Sequence, residues 1–285
     1  MRSLFMRFPR GKVKVLTLSY DNGVEQDIRL IEIMKEHGLK GTFNLNSGLY
    51  APEGTVYQEG YPFRVMTRKQ AMALYTNSGM EVAVHSHTHP YLEQLPINVC
   101  TREILKDREN LESDFGCIVR GMAYPFGTYN DAVVASLRQC GIVYARTATC
   151  TEAFEIPIDW LRMSPTCHYN NPRLMELAKS FAENSSHKTP LFFCVLGHSW
   201  EFETNNNWNV IEEFAEYMGG REDIWYATNI EVCDYVAAYN QLQFSVDGSR
   251  VYNPTAIPLY FERITYAKQD GTLYCVAPGQ RIRCE

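Results

Sequence analysis

The sequence predicts a parallel α/β domain over residues 1–240, followed by a small antiparallel β extension over 241–285. Three observations carry this. Strand-like apolar runs alternate with amphipathic helical stretches from Val13 to Asn240, the repeated βα pattern that builds a parallel sheet covered by helices. After Gln241 the texture changes to short alternating runs, with Asp-Gly at 247–248 and at 270–271, which is hairpin chemistry. The unusual polar residues fall where strand runs end, and the carboxyl ends of parallel strands are where such folds build their sites. The pattern alone leaves the sheet as either a barrel or a doubly wound open sheet.

The elements follow in order. VKVLTLSY (13–20) is β-branched and apolar, and stops at the turn Asp-Asn-Gly. The next stretch places Ile28, Ile31 and Met34 at helical spacing and ends at Gly38, a residue suited to a helix stop. LKGTFNLN reads as a second strand. TRKQAMALYTNSG reads as a helix opened by Thr67, a side chain that can cap free amides. MEVAV is a third strand, running directly into a histidine cluster. NVCTREILKDRENLESDFG is a long helix, VRGMAYP a fourth strand, YNDAVVASLRQCG a helix and IVYARTA a fifth strand. A helix opening at Pro172, the buried strand TPLFFCVLG, and helices over WNVIEEFAEYMGG and IEVCDYVAAYNQL complete the domain.

Composition narrows the function. The 285 residues carry 33 acidic against 27 basic side chains, a net charge of −6, with 45% hydrophobic residues. A normal core is available, and the charge argues against a nucleic-acid surface. No apolar run reaches the ~20 residues of a membrane span. The basic start MRSLFMRFPRGKVKV has no apolar core of a signal peptide. As written it predicts a cytoplasmic protein, or a secreted or periplasmic one if a leader was removed. The 9 cysteines are odd in number and form no Cys-x-x-Cys pair, so free thiols are expected, with Cys194 in the core.

The chemistry concentrates in HSHTHP, which sets His85, His87 and His89 within five residues. Imidazole nitrogens suit Zn²⁺ and related divalent ions, and a catalytic site leaves one position open for water. On an extended strand all three rings would share one face, whereas a turn lets two of them converge. Spacing alone does not choose the pair. His37 and His187 have no assigned role, and His168 lies in a loop.

Five segments, in order, resemble the polysaccharide deacetylase family of metal-dependent carbohydrate esterases. LSYDNG resembles its Asp-Asp-Gly motif, GTFNLNSG its second strand, HSHTHP its histidine motif, MAYPFGTYN its third motif and CVLGH its final Leu-x-His. The resemblance covers roughly residues 13–200 and implies an irregular (β/α) barrel of the deacetylase type. It implies removal of N- or O-acetyl groups from a carbohydrate, with a divalent metal cofactor: Zn first, with Co or Ni as alternatives. It implies His85 and His89 as metal ligands with His87 turned away, Asp21 as the base acting on water, and His198 as the acid. It also implies Leu196 at the acetyl pocket and Tyr124, Pro125 and Phe126 along a groove wall. Trp200, just past His198, offers a face for a sugar, and Glu201 or Glu203 can hold His198.

Two positions depart from the family. Asn22 stands where the third metal ligand is an aspartate, and a neutral amide is the weaker donor. The Asn22-Gly23 dipeptide is prone to deamidation, which would restore a carboxylate. The position of the arginine that orients the base falls at Ala123, and Asp159-Trp160 is only a loose match to a tryptophan motif. These departures leave one alternative, a catalytically silent carbohydrate-binding relative; the resemblance leaves another, a hydrolase of a small non-sugar amide, since relatives with this domain open small cyclic amides. Substrate, metal, oligomeric state and the role of residues 241–285 are not readable from the letters.

Overall fold

The computed structural model describes residues 2–185, 188–265 and 270–284; His187 lies outside them. The chain runs β1 (Arg2–Arg7), β2 (Lys14–Asp21), α1 (Asp27–Glu36), β3 (Gly41–Leu45), α2 (Arg68–Tyr75), β4 (Glu81–Val84) and α3 (Ile97–Phe115). It continues through β5 (Gly121–Ala123), α4 (Asp131–Gln139), β6 (Tyr144–Arg146), β7 (Cys167–His168), α5 (Leu174–Glu183), β8 (Leu191–Gly197), α6 (Trp200–Thr204) and α7 (Trp208–Met218). After β9 (Ile224–Tyr226) and α8 (Asn229–Tyr239) come β10 (Gln243–Phe244), β11 (Arg250–Tyr252), β12 (Leu259–Thr265), β13 (Asp270–Val276) and β14 (Arg281–Arg283).

The main sheet has the order β6-β5-β4-β3-β2-β8-β7, and all its pairings are parallel. It curls into a half-barrel, the irregular (β/α) barrel expected above. Strand β2 lies at its centre with all eight residues buried, so it shows no polar alternation. One edge of β2 pairs with β8 along its length, while the other pairs with β3 above and β9 below. Helices wrap the outside; Thr67 caps α2 in a reciprocal capping box with Gln70, and Gly116 ends α3 at φ +63°.

Helix α8 crosses beneath the amino ends of the strands. The Asn229 N–H donates to Thr42 Oγ1 at 3.0 Å, the Ile230 N–H to Glu81 Oε2 at 2.9 Å, and Arg120 pairs with Asp234. The antiparallel extension packs on this end: Tyr235 of α8 donates its hydroxyl to Arg7 O and accepts from the Tyr260 N–H.

Several expectations change. The N-terminal segment is not merely a basic lead-in: β1 pairs antiparallel with β12, so the sheet β1-β12-β13 joins both ends of the chain. Long-range pairing of this kind leaves no local signal. Asp270-Gly271 is not a turn but opens β13, whereas Asp247-Gly248 does lie between β10 and β11. The segment after His198, which carries no predicted element, holds α6. Strands β7 and β9 are too short for a periodic signal. Helix α5 starts two residues after Pro172. All 9 cysteines are free thiols, and Cys194 is fully buried.

Candidate active site

The carboxyl ends of β2, β4, β5, β6 and β8 surround a cavity of about 590 Å³. Its lining includes Asp21, His85, His89, Arg146, His198 and Trp200. Asn22, Tyr124, Phe126 and Leu196 also line it, as do Leu49 and Phe63. Pro125, expected on the groove wall, is buried and does not line the cavity. The ring of Tyr124 is held in place by its hydroxyl donating to Leu161 O.

Strand β2 delivers Asp21, and four groups fix its carboxylate. Asn44 donates to Oδ1 at 2.8 Å, and Arg146 donates to both oxygens, at 2.5 Å to Oδ2. Oδ2 also faces two imidazoles: His85 Nε2 lies at 3.9 Å and His198 Nε2 at 3.8 Å. Burial alone would raise the carboxyl's pKa. The charge of Arg146, with those of His85 and His198, outweighs burial and holds it well below the carboxylate range.

Arg146 answers the departure at Ala123. It ends β6, in direct parallel register with Ala123 on β5. The guanidinium therefore reaches Asp21 from the neighbouring strand. It is 1% exposed and also donates to Ser19. The sequence carried a signal for it, a lone charge at the end of the apolar run IVYARTA.

The histidine loop turns by using two left-handed residues, Ser86 at φ +64° and His89 at φ +57°. This local turn breaks the shared strand face. His85 and His89 converge with Nε2 atoms 3.1 Å apart, while His87 swings away to Ser47. The loop is tied from behind: Asn46 donates to the carbonyls of His85 and Ser86, and Asp107 of α3 accepts from the amides of His85 and Ser47. Burial raises the Asp107 carboxyl to about 7 against those donors.

The His85 Nδ1 lies 2.8 Å from the Ala123 carbonyl, which can only accept. Nδ1 therefore carries the proton and Nε2 offers a lone pair toward His89. Burial pushes the His85 pKa down to about 4 and also lowers that of His89. Two neutral imidazoles facing one point are the donor set a divalent ion takes. Asn22 borders the same space at φ +85°, a backbone region that Asn tolerates better than most side chains.

His198 ends β8 in a different setting. Its Nδ1 lies 3.2 Å from Glu201 Oε1 of α6. Burial would lower its pKa, but the bond to Glu201 and the charge of Asp21 raise it. Glu201 is shared with His168, whose Nε2 lies 3.3 Å from Oε2. His168, His198 and Glu201 sit close enough to hold a cation. The Asn170 N–H, however, donates to His168 Nδ1. The neutral His168 ring then carries its proton on Nε2, toward Glu201. The trio is thus a carboxylate between two imidazole donors. Burial would raise the Glu201 carboxyl, but His168 and His198 hold it down at about 2. Buried Asp27 accepts from Ser199, Tyr75 and the Val24 amide, and so ties the His198 loop to α1 and to the turn after Asn22.

Trp200 packs edge-on against Phe63, and Phe126 stacks on Tyr91. Trp160 packs on Phe192 outside the cavity lining. Sequence reasoning missed Arg146, Asn44 and Asp107 because none stands in a short motif.

A family model described as polysaccharide deacetylase matches residues 9–145. A putative polysaccharide deacetylase from Mycobacterium smegmatis is 16% identical with a TM-score of 0.56; the match covers 82% of this chain and 93% of that one. A family 4 carbohydrate esterase pseudoenzyme from Bacillus anthracis is 18% identical at a TM-score of 0.50, over 81% of this chain and 68% of that one. The chain spans 55% of a Streptococcus pyogenes deacetylase at 23% identity and a TM-score of 0.41, a match that covers 46% of this chain. No curated protein matches.

Proposed function

We propose that this chain is a hydrolase of the polysaccharide deacetylase family, a reading the match over residues 9–145 supports, and that it removes N- or O-acetyl groups from a carbohydrate with a bound divalent metal. One observation carries the reading: Asp21 Oδ2 stands between His85 and His198, 3.9 and 3.8 Å from their Nε2 atoms. A carboxylate between a ligand-ready imidazole and a proton-bearing one has a base and an acid on opposite flanks of a single reacting carbonyl.

His85, His89 and the Asn22 carbonyl would hold the ion, Zn²⁺ first. When bound, it supplies Lewis acidity toward the acyl carbonyl and the attacking water. Asp21 takes the water's proton at Oδ2, which accepts from Arg146 alone, whereas Oδ1 accepts from both Asn44 and Arg146. Arg146 fixes the carboxylate while weakening it as a base. The water oxygen bonds to the acetyl carbon, and the carbon–nitrogen or carbon–oxygen bond breaks. His198 gives its Nε2 proton to the departing amine or alcohol, and acetate remains. Leu196 meets the methyl group, and Phe63, Phe126 and Trp200 offer faces to sugar rings. That aromatic rim favours a sugar over a small cyclic amide.

The test is acetate release from acetylated chitooligosaccharides, peptidoglycan fragments and acetylxylan with Zn²⁺, Co²⁺ or Ni²⁺. Asp21→Asn is expected to lower turnover about 10²–10⁴-fold. No release on the whole panel would overturn the reading. Asn22 favours a second one, a carbohydrate-binding relative without turnover. Gain of both metal and activity in Asn22→Asp alone would move that reading ahead.

A further inference from the structure

The sheet β10-β11-β14 concentrates positive charge. Arg250 of β11 stands directly opposite Arg283 of β14, and Tyr252 directly opposite Arg281. Alternation along the strands sends Val251 and Ile282 to the other face, where they join a small core with Phe244 and Phe261. The three arginines are exposed. Among the described residues, none of the three forms an ion pair. Asp247, the acidic residue of the β10–β11 hairpin, is turned into its own loop, where it accepts from Ser245 and Ser249.

Like charges directly opposite on a sheet are destabilising. The overall charge is −6, yet three guanidinium groups with no ion pair among the described residues share one short sheet. The guanidinium of Arg281 lies 4.9 Å from the centre of the Tyr252 ring, which pre-orients its donors. The strands also line a hollow of about 490 Å³.

We infer that this face is an anchoring surface for a carboxylate-bearing polysaccharide chain. Guanidinium forks match carboxylates with paired hydrogen bonds, and an anion between Arg250 and Arg283 removes their repulsion. The polysaccharide identity rests on the carbohydrate reading of the active site. Because α8 separates the extension from the strands' carboxyl ends, the surface lies at the opposite end of the half-barrel from the cavity. It therefore holds polymer without touching the reacting bond.

The experiment measures binding to polygalacturonate, to its neutral methyl ester and to a DNA duplex, for wild type and Arg250→Gln/Arg283→Gln. Acetate release from a short soluble substrate is followed on the same samples. Polygalacturonate binding that weakens with salt, is absent for the methyl ester and falls about tenfold or more in the variant is expected. Arg281→Gln alone gives a smaller fall. Equal binding of the neutral polymer, unchanged binding in the variant, or tighter binding to DNA would overturn the inference. Binding as expected without acetate release would leave the surface standing and remove the hydrolase reading. Acetate release without binding would do the reverse.

Discussion

His85 and His198 sit almost equally far from the same oxygen, Asp21 Oδ2, yet their pKa values move in opposite directions. The His85 side chain is 2% exposed and its Nδ1 faces a neutral carbonyl. Burial wins there, and the ring is a neutral ligand with a free lone pair. The His198 side chain is 29% exposed, and its Nδ1 meets the Glu201 carboxylate. Attraction wins there, and the ring keeps a proton to give. The shared aspartate cannot explain the difference. The partner on the far nitrogen sorts one imidazole into a ligand and the other into an acid.

The hardest test of that contrast is to remove each ring. His85→Ala is expected to lose metal, with affinity falling by more than about 100-fold, while His198→Gln keeps full metal content; both lose turnover. Elemental analysis of the two purified variants reads this directly, and equal metal loss in both would break the comparison. A smaller effect follows from Glu201→Gln. The raised His198 pKa gives an acid that is protonated below it and spent as pH rises through it. Neutralising Glu201 removes the main force holding that pKa up, so the alkaline limb of kcat/KM moves to lower pH with metal content unchanged. The same bond has a stability counterpart. The Glu201 carboxyl is depressed to about 2, so its contribution is present above the unfolded carboxyl value of about 4.3 and lost as pH falls toward 2. An alkaline limb that stays put in Glu201→Gln would contradict the assignment. The smallest effect is structural. Asp107→Ala leaves the Ser47 amide without its acceptor and the His85 amide with only Leu45 O. It is expected to lower stability by about 1–3 kcal/mol, read as the denaturation midpoint, and to loosen metal binding less than His85→Ala does.

Much of the site was legible because β2, β4 and β8 are long or strongly apolar, and their reactive residues directly follow them. Asp21, His85, His89 and His198 could be named from the letters. Arg146 could not, since its role depends on β5 and β6 lying in register, which brings it beside Ala123. Nor could Glu201 be chosen over Glu203. Both lie in α6, but Glu203 pairs with Arg64 and accepts from Gln26. Which helix face meets His198 is a matter of packing.

The sequence by itself determined the parallel α/β frame, the placement of reactive residues at strand ends and the change of texture after Gln241. These follow from periodicity and turn chemistry, which act over a few residues. Tertiary structure alone decided what restrains Asp21 and which imidazole keeps its proton. It also decided that β1 pairs with β12 near the other end of the chain and that Arg250 faces Arg283. Each of these depends on register or burial between segments far apart in the chain, and local pattern carries no record of either.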